Sequence, residues 1–180
     1  MAKIIFSNLA PEKEAVVRQD TLLILNDAAD KAGIERLYIT STIRTPDEQA
    51  AAMYKNISSG RIIRYKEPGQ KVTQLCLDML GKSAPKADTL KAMSELISKL
   101  SERGQRVSLH CVSEEIYATR QILDVSSSLL FDKAVKFIRA LAEDERVKRI
   151  IQPITSSALN NIEGVSYDSD EPAIHIEIEL

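Results

Sequence analysis

Apolar residues recur every three or four positions in several stretches of the chain, a spacing that predicts amphipathic helices. The first predicted helix covers 11–32, and Gly33 follows it as a C-terminal stop. A second covers 46–57, because Thr45 is a good N-cap and Pro46 suits the first helical position. Loop signals fill 58–61 and 66–70. Further helices are predicted over 71–80, 87–103 and 132–141, with a short one at 156–162.

Other stretches are rich in β-branched residues or alternate apolar with polar positions, which predicts strands. The predicted strands cover 37–42, 106–111, 121–125, 147–154, 165–167 and 173–179. An acidic turn at 168–172 separates the last two strands, and we expect them to form a hairpin. Helices and strands mixed in this way indicate the α+β class.

The chain has only two histidines, and each falls in a predicted strand. Alternation places His110 on the same face as Ser108, and His175 on the same face as Glu177. Two imidazoles and a carboxylate from the segment after the first, such as Asp124, would supply three ligands of a catalytic zinc ion and leave one position for water. The alternative is that both histidines are ordinary core or surface residues, and that the last strand is an edge strand charged against aggregation.

Composition limits the function classes. The 180 residues are 44% hydrophobic and 28% charged, with a formal net charge of −2. We expect one soluble domain over 1–180, without general attraction to nucleic acid or anionic membrane. Cys76 and Cys111 form no CxxC pair, and no apolar run suggests a secretory signal or membrane insertion. The expected location of the chain as synthesised is therefore the cytoplasm.

Three segments together resemble the D-Ala-D-Ala metallopeptidase family, which includes D,D-dipeptidases, D,D-carboxypeptidases and phage L-alanyl-D-glutamate endolysins and shares its fold with the Hedgehog signalling domain. Ser108-Leu109-His110 with Asp124 resembles the first part of the zinc-binding pattern, and Glu171 ahead of His175 resembles the last part. Residues 39–49, Ile-Thr-Ser-Thr-Ile-Arg-Thr-Pro-Asp-Glu-Gln, resemble the family's Ser-Gly-Tyr-Arg-(Ser/Thr)-x-x-x-Gln segment.

The resemblance implies a small antiparallel sheet that carries the metal site and is flanked by helices. It implies that Zn²⁺ is bound by His110, Asp124 and His175, and that Glu171 transfers the proton, with Asp168 and Asp170 as reserves. The residues implied in substrate binding are Arg44, Ser41, Gln49 and Ser108. Arg44 is also implied in catalysis, where it would orient the peptide carboxylate or stabilise the developing oxyanion. Residues from about 57 to 105 have no counterpart in the family pattern and are predicted to be a helical insertion.

Two departures from the family pattern concern the spacing. The 14 positions from His110 to Asp124 are twice the usual spacing, and Arg120 and Ile122 stand where the family has Gly and Ala. We interpret residues 113–117 as an inserted loop, and Glu114 or Glu115 is the alternative oxygen ligand. Glu171 is one residue further from the last histidine than in the family's Glu-x-x-His unit.

The implied activity is zinc-dependent hydrolysis of peptidoglycan peptide bonds that involve a D-amino acid. The expected partner is a peptidoglycan stem peptide or another D-amino-acid peptide, reached by release into the periplasm or cell wall if the chain acts as a phage-type lysin. One alternative is an inactive module of the same fold that binds a muropeptide or a protein. Another is an α+β domain whose histidines have no common role. The oligomeric state is not predicted.

Overall fold

The computed structural model describes residues 1–61 and 63–180. Ile62, which falls inside the predicted insertion at 57–105, lies outside the described residues. The chain divides into two compact units. The sheet unit comprises Met1–Ile43 and Glu114–Leu180, and the helical unit comprises Arg44–Ser113. None of the described helices is long and apolar enough to cross a membrane.

The sheet unit is built on six strands, counted within the described part of the chain. They are β1 (Lys3–Phe6), β2 (Arg36–Ser41), β3 (Arg120–Val125), β4 (Val147–Gln152), β5 (Val165–Tyr167) and β6 (Ile174–Glu179). Their order in the sheet is β1-β2-β3-β6-β4-β5. The pairs β1–β2 and β4–β5 are parallel and the others antiparallel, so the sheet is mixed, and the prediction of an antiparallel sheet is wrong.

The structure also corrects the predicted C-terminal hairpin. β5 pairs in parallel with β4, while β6 lies between β3 and β4 and pairs with both of them in antiparallel register. All residues of β6 except Glu179 are buried, so the strand is interior and the edge-strand interpretation is wrong. The alternation of polar and apolar residues is typical of an edge strand. Here His175 and Glu177 have polar partners inside the protein, which removes the usual cost of burying them.

One face of the sheet packs against two helices, α2 (Gln19–Ala32) and α7 (Ala134–Ala142). Alternate residues of β3 and β6 point into this core because successive side chains of a strand face opposite sides. The strand residues in this core are Leu123, Val125, Ile174, Ile176 and Ile178, and the large helical residues are Ile24, Leu25, Phe137, Ile138 and Leu141. The other face of β3 and β6 carries Asp124, His175 and Glu177, together with Arg120, Ile122 and Glu179.

The predicted helix over 11–32 is two helices, α1 (Pro11–Ala15) and α2. Arg18 between them has extended backbone angles. The side chain of Gln121 on β3 stabilises this break, since its Oε1 accepts the Arg18 N–H at 2.9 Å and its Nε2 donates to the Val16 carbonyl at 3.3 Å. A partner so distant in sequence cannot be read from local periodicity. The residues predicted as a loop at 113–117 mostly belong to a short helix, α6 (Glu114–Thr119).

The helical unit contains α3 (Pro46–Ser58), α4 (Glu67–Gly81) and α5 (Lys86–Glu102), numbered in chain order with the others. The N-terminus of α3 is a capping box in which Thr45 Oγ1 accepts the Glu48 N–H and Glu48 Oε2 accepts the Thr45 N–H. The predicted loop at 66–70 is wrong because α4 begins at Glu67, with Pro68 in its first turn, where a missing N–H does no harm. The three helices share their own buried cluster: Ala50, Met53, Ile57, Val72, Cys76, Met93, Ile97, Leu100 and Val107.

Residues 105–113 form turns and irregular backbone instead of the strand predicted at 106–111. The Cys111 N–H donates to the Ser108 carbonyl at 3.3 Å, which closes a turn around His110. The Arg44 N–H donates to the His110 carbonyl at 2.9 Å. These bonds replace those of a strand ladder, and the alternation argument for the orientation of His110 is therefore wrong.

Candidate metal centre

Asp124 on β3 and His175 on β6 face each other across the middle of the sheet. They are direct partners in the antiparallel register, so their side chains project from the same face. His175 Nδ1 lies 3.1 Å from Asp124 Oδ1. His175 is 2% exposed and Asp124 8% exposed. The strand pairing alone thus brings together two groups with metal-ligand chemistry in a site shielded from water.

His110, 5% exposed, is the third member of the cluster. One ligand atom from each of His110, Asp124 and His175 lies within 4.8 Å of the other two, and the cluster could bind a metal ion. Two ligand atoms of a tetrahedral zinc ion are about 3.3 Å apart, given bonds of about 2.0–2.1 Å. The observed 3.1 Å between His175 and Asp124 fits that geometry. Two imidazoles and a carboxylate are also a donor set that zinc accepts.

Glu177, two residues after His175, is a charged side chain of the site to which the sequence assigned no part in metal binding. It is 2% exposed. Its Oε1 lies 3.6 Å from His175 Nε2 and 3.5 Å from Arg149 Nη1, and its Oε2 lies 3.0 Å from Arg120 Nε. The strand period of two already places Glu177 on the His175 face, but it does not reveal the arginine partners on the neighbouring strands.

The charges around His175 shift the pKa values of the cluster. Burial lowers the pKa of His175, but the hydrogen bond with Asp124 and the nearby charges of Asp124 and Glu177 raise it by more, to about 9. Burial raises the pKa of Glu177, whereas His175, Arg120 and Arg149 lower it, and the net shift is downward. The metal-free chain therefore holds a protonated imidazole between two carboxylates at neutral pH.

Arg44 and Gln49, two of the predicted substrate-binding residues, contact each other in the helical unit. Arg44 precedes the N-cap of α3, and its Nη1 donates to Gln49 Oε1 at 3.3 Å. The Gln49 side chain is fully buried, and its Nε2 has no hydrogen-bond partner among the described residues. A buried amide donor without a partner is costly unless a ligand or water accepts from it.

The other two predicted substrate-binding residues are Ser41 and Ser108. Ser41 at the end of β2 is buried and is the register partner of Asp124. Ser108 Oγ accepts the His110 N–H at 3.4 Å, within the turn that carries the histidine. Both residues are close in sequence or in register to a predicted ligand, and their role toward a substrate stays a prediction.

Glu171, the predicted proton acceptor, lies in the turn that leads into β6. It is partly buried, and its N–H donates to the Asp168 carbonyl at 3.3 Å. Asp168 Oδ1 in turn accepts the Asp170 N–H at 2.9 Å. The alternative oxygen ligands Glu114 and Glu115 are both exposed in the first turn of α6, whereas the cluster contains Asp124.

No protein-family model, curated protein or solved structure matches the chain. The family resemblance of the three sequence segments thus stays a prediction. What the fold and site define is an α+β protein with a mixed six-stranded sheet, helices at its side, and a buried His-Asp-His cluster that could bind a metal ion.

Proposed function

We propose that the chain is a zinc-dependent peptidase that hydrolyses peptidoglycan peptide bonds involving a D-amino acid. The observation that carries the proposal is the convergence of ligand atoms from His110, Asp124 and His175 to within 4.8 Å of one another. Catalytic zinc sites in proteins commonly have three protein ligands of these types and an open fourth position for water. The substrate class comes from the family resemblance of the sequence.

The proposed roles follow from the chemistry of each side chain. His110, Asp124 and His175 would hold the ion, which when bound supplies Lewis-acid polarisation of the scissile carbonyl and acidifies a water molecule. Glu171 would accept the proton from the attacking water and deliver it to the leaving amine. The position of Glu171 in the turn directly before β6, four residues from His175, makes it our first choice for this role.

Arg44 and Gln49 would orient the peptide. The planar guanidinium group of Arg44 suits a carboxylate or carbonyl of the substrate. The buried Gln49 Nε2, which lacks a partner among the residues described, would be satisfied by a substrate oxygen. Both side chains are held together by their own hydrogen bond, so the substitution Gln49→Leu should weaken substrate binding more than it affects metal content.

Two measurements test the proposal in sequence. The first is the metal content of the purified protein, for which we expect one bound zinc ion per chain. The second is release of soluble peptides from purified peptidoglycan, with and without chelator, using Glu171→Gln as a control that keeps the shape of the side chain. We expect activity that chelator abolishes and that the substitution lowers by at least about 100-fold. Metal-loaded protein that releases nothing would contradict the proposal.

A second candidate is a module of the same kind that binds a muropeptide or a protein without hydrolysis. The observation that favours it is α6, which occupies residues 114–119 between His110 and Asp124, where the family pattern is much shorter. Muropeptide binding to metal-loaded protein, with no hydrolysis and no effect of Glu171→Gln, would identify this function instead.

A further inference from the structure

The ring of His175 has a carboxylate on each side. Asp124 Oδ1 lies 3.1 Å from Nδ1, and Glu177 Oε1 lies 3.6 Å from Nε2. An imidazole binds a metal through one nitrogen and keeps a proton on the other, and that proton is usually donated to a carboxylate or carbonyl that fixes the ring. One carboxylate can therefore lie beside the nitrogen that binds the metal, while the other accepts the proton on the second nitrogen. The surroundings of each carboxylate indicate which role it takes.

Asp124 belongs to the group of ligand atoms that also includes His110, whereas Glu177 belongs to a cluster of charged side chains. Glu177 is clamped from two neighbouring strands, by Arg120 of β3 on Oε2 and by Arg149 of β4 on Oε1. A carboxylate held by two guanidinium groups and buried at 2% exposure has little freedom to move toward a new partner. It is better suited to hold the ring than to bind the ion.

We propose that Glu177 is a positioning residue, which accepts the proton on His175 Nε2 and so presents Nδ1 to the metal ion beside Asp124. This inference rests on the proposed metal centre and adds to it the binding atom of His175 and a role for the Arg120–Glu177–Arg149 cluster. It requires the two side chains to close the 3.6 Å between Nε2 and Oε1 to hydrogen-bond distance. It requires no movement of the strands, because Asp124 and Glu177 lie on the same sheet face as His175.

The most direct test is the protonation pattern of the His175 ring in the zinc-loaded protein, read from long-range ¹H–¹⁵N spectra of histidine-labelled chain. With two histidines in the sequence, a zinc-free His110→Gln sample identifies the His175 signals, and titration of the unsubstituted protein with zinc follows them to the loaded state. We expect a protonated Nε2 and a metal-bound Nδ1 for His175. Metal on Nε2 would overturn the inference but leave the proposed function standing, whereas a protein that takes up no zinc would end both.

Substitutions provide a second test that separates positioning from a purely structural ion cluster. Glu177→Gln removes the charge beside Nε2, whereas Arg120→Gln removes the partner of the remote oxygen Oε2 and the ion pair with Glu179, and leaves Arg149 on Oε1. We expect both variants to melt at lower temperature, but only Glu177→Gln to weaken zinc binding, by about 10- to 100-fold. The visible absorption of the cobalt-loaded protein should also change in Glu177→Gln alone.

Equal zinc affinity in the two variants, within about threefold, would overturn the positioning role. If Glu177→Gln does not fold, Glu177→Asp retains the charge, and we expect it to bind zinc more weakly than the unsubstituted protein because the shorter side chain withdraws from Nε2. An Asp variant with unchanged affinity and an unchanged cobalt spectrum would count against the inference in the same way.

Discussion

At the level of single residues, His175 is the most constrained side chain of the candidate metal centre. It is buried on an interior strand, with Asp124 on one ring nitrogen and Glu177 near the other. A protonated imidazole in this position is stabilised by both carboxylates, and a neutral one loses that attraction. The stability of the metal-free chain should therefore depend on the protonation of this one group.

The sign of that dependence follows from the raised pKa. The pKa of His175 is about 9 in the folded chain and near 6.5 in the unfolded chain. The stabilisation is thus fully present below pH 6.5 and is lost as pH rises toward 9. We expect the free energy of unfolding in the presence of chelator, measured with urea, to fall by up to about 3 kcal/mol between pH 6.5 and pH 9.

His175→Asn is the control for this dependence, since it removes the titrating group and keeps a hydrogen-bonding side chain. The variant should be less stable at pH 6.5, and its stability should change much less between pH 6.5 and pH 9. An equally steep loss in the variant would assign the pH dependence to other groups.

The sequence indicated His110, Asp124 and His175 through a family resemblance, whereas Glu177 was interpreted only as a charge that protects an edge strand from aggregation. The reason is that Glu177 acts through partners on two other strands, Arg120 and Arg149. Neither partner can be recognised before the strand order is known. Residue types and spacing could thus suggest the ligands, and only the sheet register reveals the charges around them.

At the level of elements, the sequence predicted the ends of helices correctly where neighbouring residues form the cap. The start of α3 follows from Thr45 and Pro46, and the end of α2 follows from Gly33. Local signals failed where distant groups decide. Gln121 stabilises the break before α2 through a hydrogen bond, and the Arg44 N–H donates a hydrogen bond to the turn around His110. Neither feature is therefore visible in the periodicity of its own segment.

The end of α2 offers a clear test of local backbone energetics. Gly33 has φ of 70° and open space around the position of a Cβ atom, so Gly33→Ala meets only the cost of the left-handed conformation. We expect it to lower the free energy of unfolding by about 1 kcal/mol. Gly81, the last residue of α4, also has open space but no such φ, and Gly81→Ala should be neutral or slightly stabilising in the same urea titration. Equal effects at the two positions would contradict this.

The capping box of α3 supports a second test at this scale. Thr45→Ala removes the acceptor for the Glu48 N–H and should cost about 1 kcal/mol of stability, whereas Thr45→Ser keeps the oxygen and should cost much less. Chemical unfolding of the two variants side by side measures the difference. An alanine variant as stable as the serine variant would show that the cap contributes nothing to stability.

At the level of the whole molecule, metal binding and folding should be linked. The three proposed ligands are far apart in the sequence, so the unfolded chain offers no site of comparable affinity, and an ion that binds only the folded chain stabilises it. With zinc at about 100 times its dissociation constant, the stabilisation is about 2.7 kcal/mol, or about 5–10 °C in melting temperature for a chain of this size.

The measurement is a pair of thermal melts, with chelator and after zinc is restored. We expect the melting temperature to fall on chelation and to recover with zinc, and we expect no such response in Asp124→Asn. A chelator effect of the same size in that variant would mean that the stabilising ion binds elsewhere.

Calorimetric titration of the metal-free chain with Zn²⁺ measures directly whether His110, Asp124 and His175 bind one metal ion. We expect one ion per chain, with affinity weakened by at least about 100-fold in His110→Gln and in His175→Asn, each of which removes a proposed ligand. A chain that binds no zinc, or variants that both bind it as tightly as the unsubstituted protein, would show that these three side chains do not form a metal site.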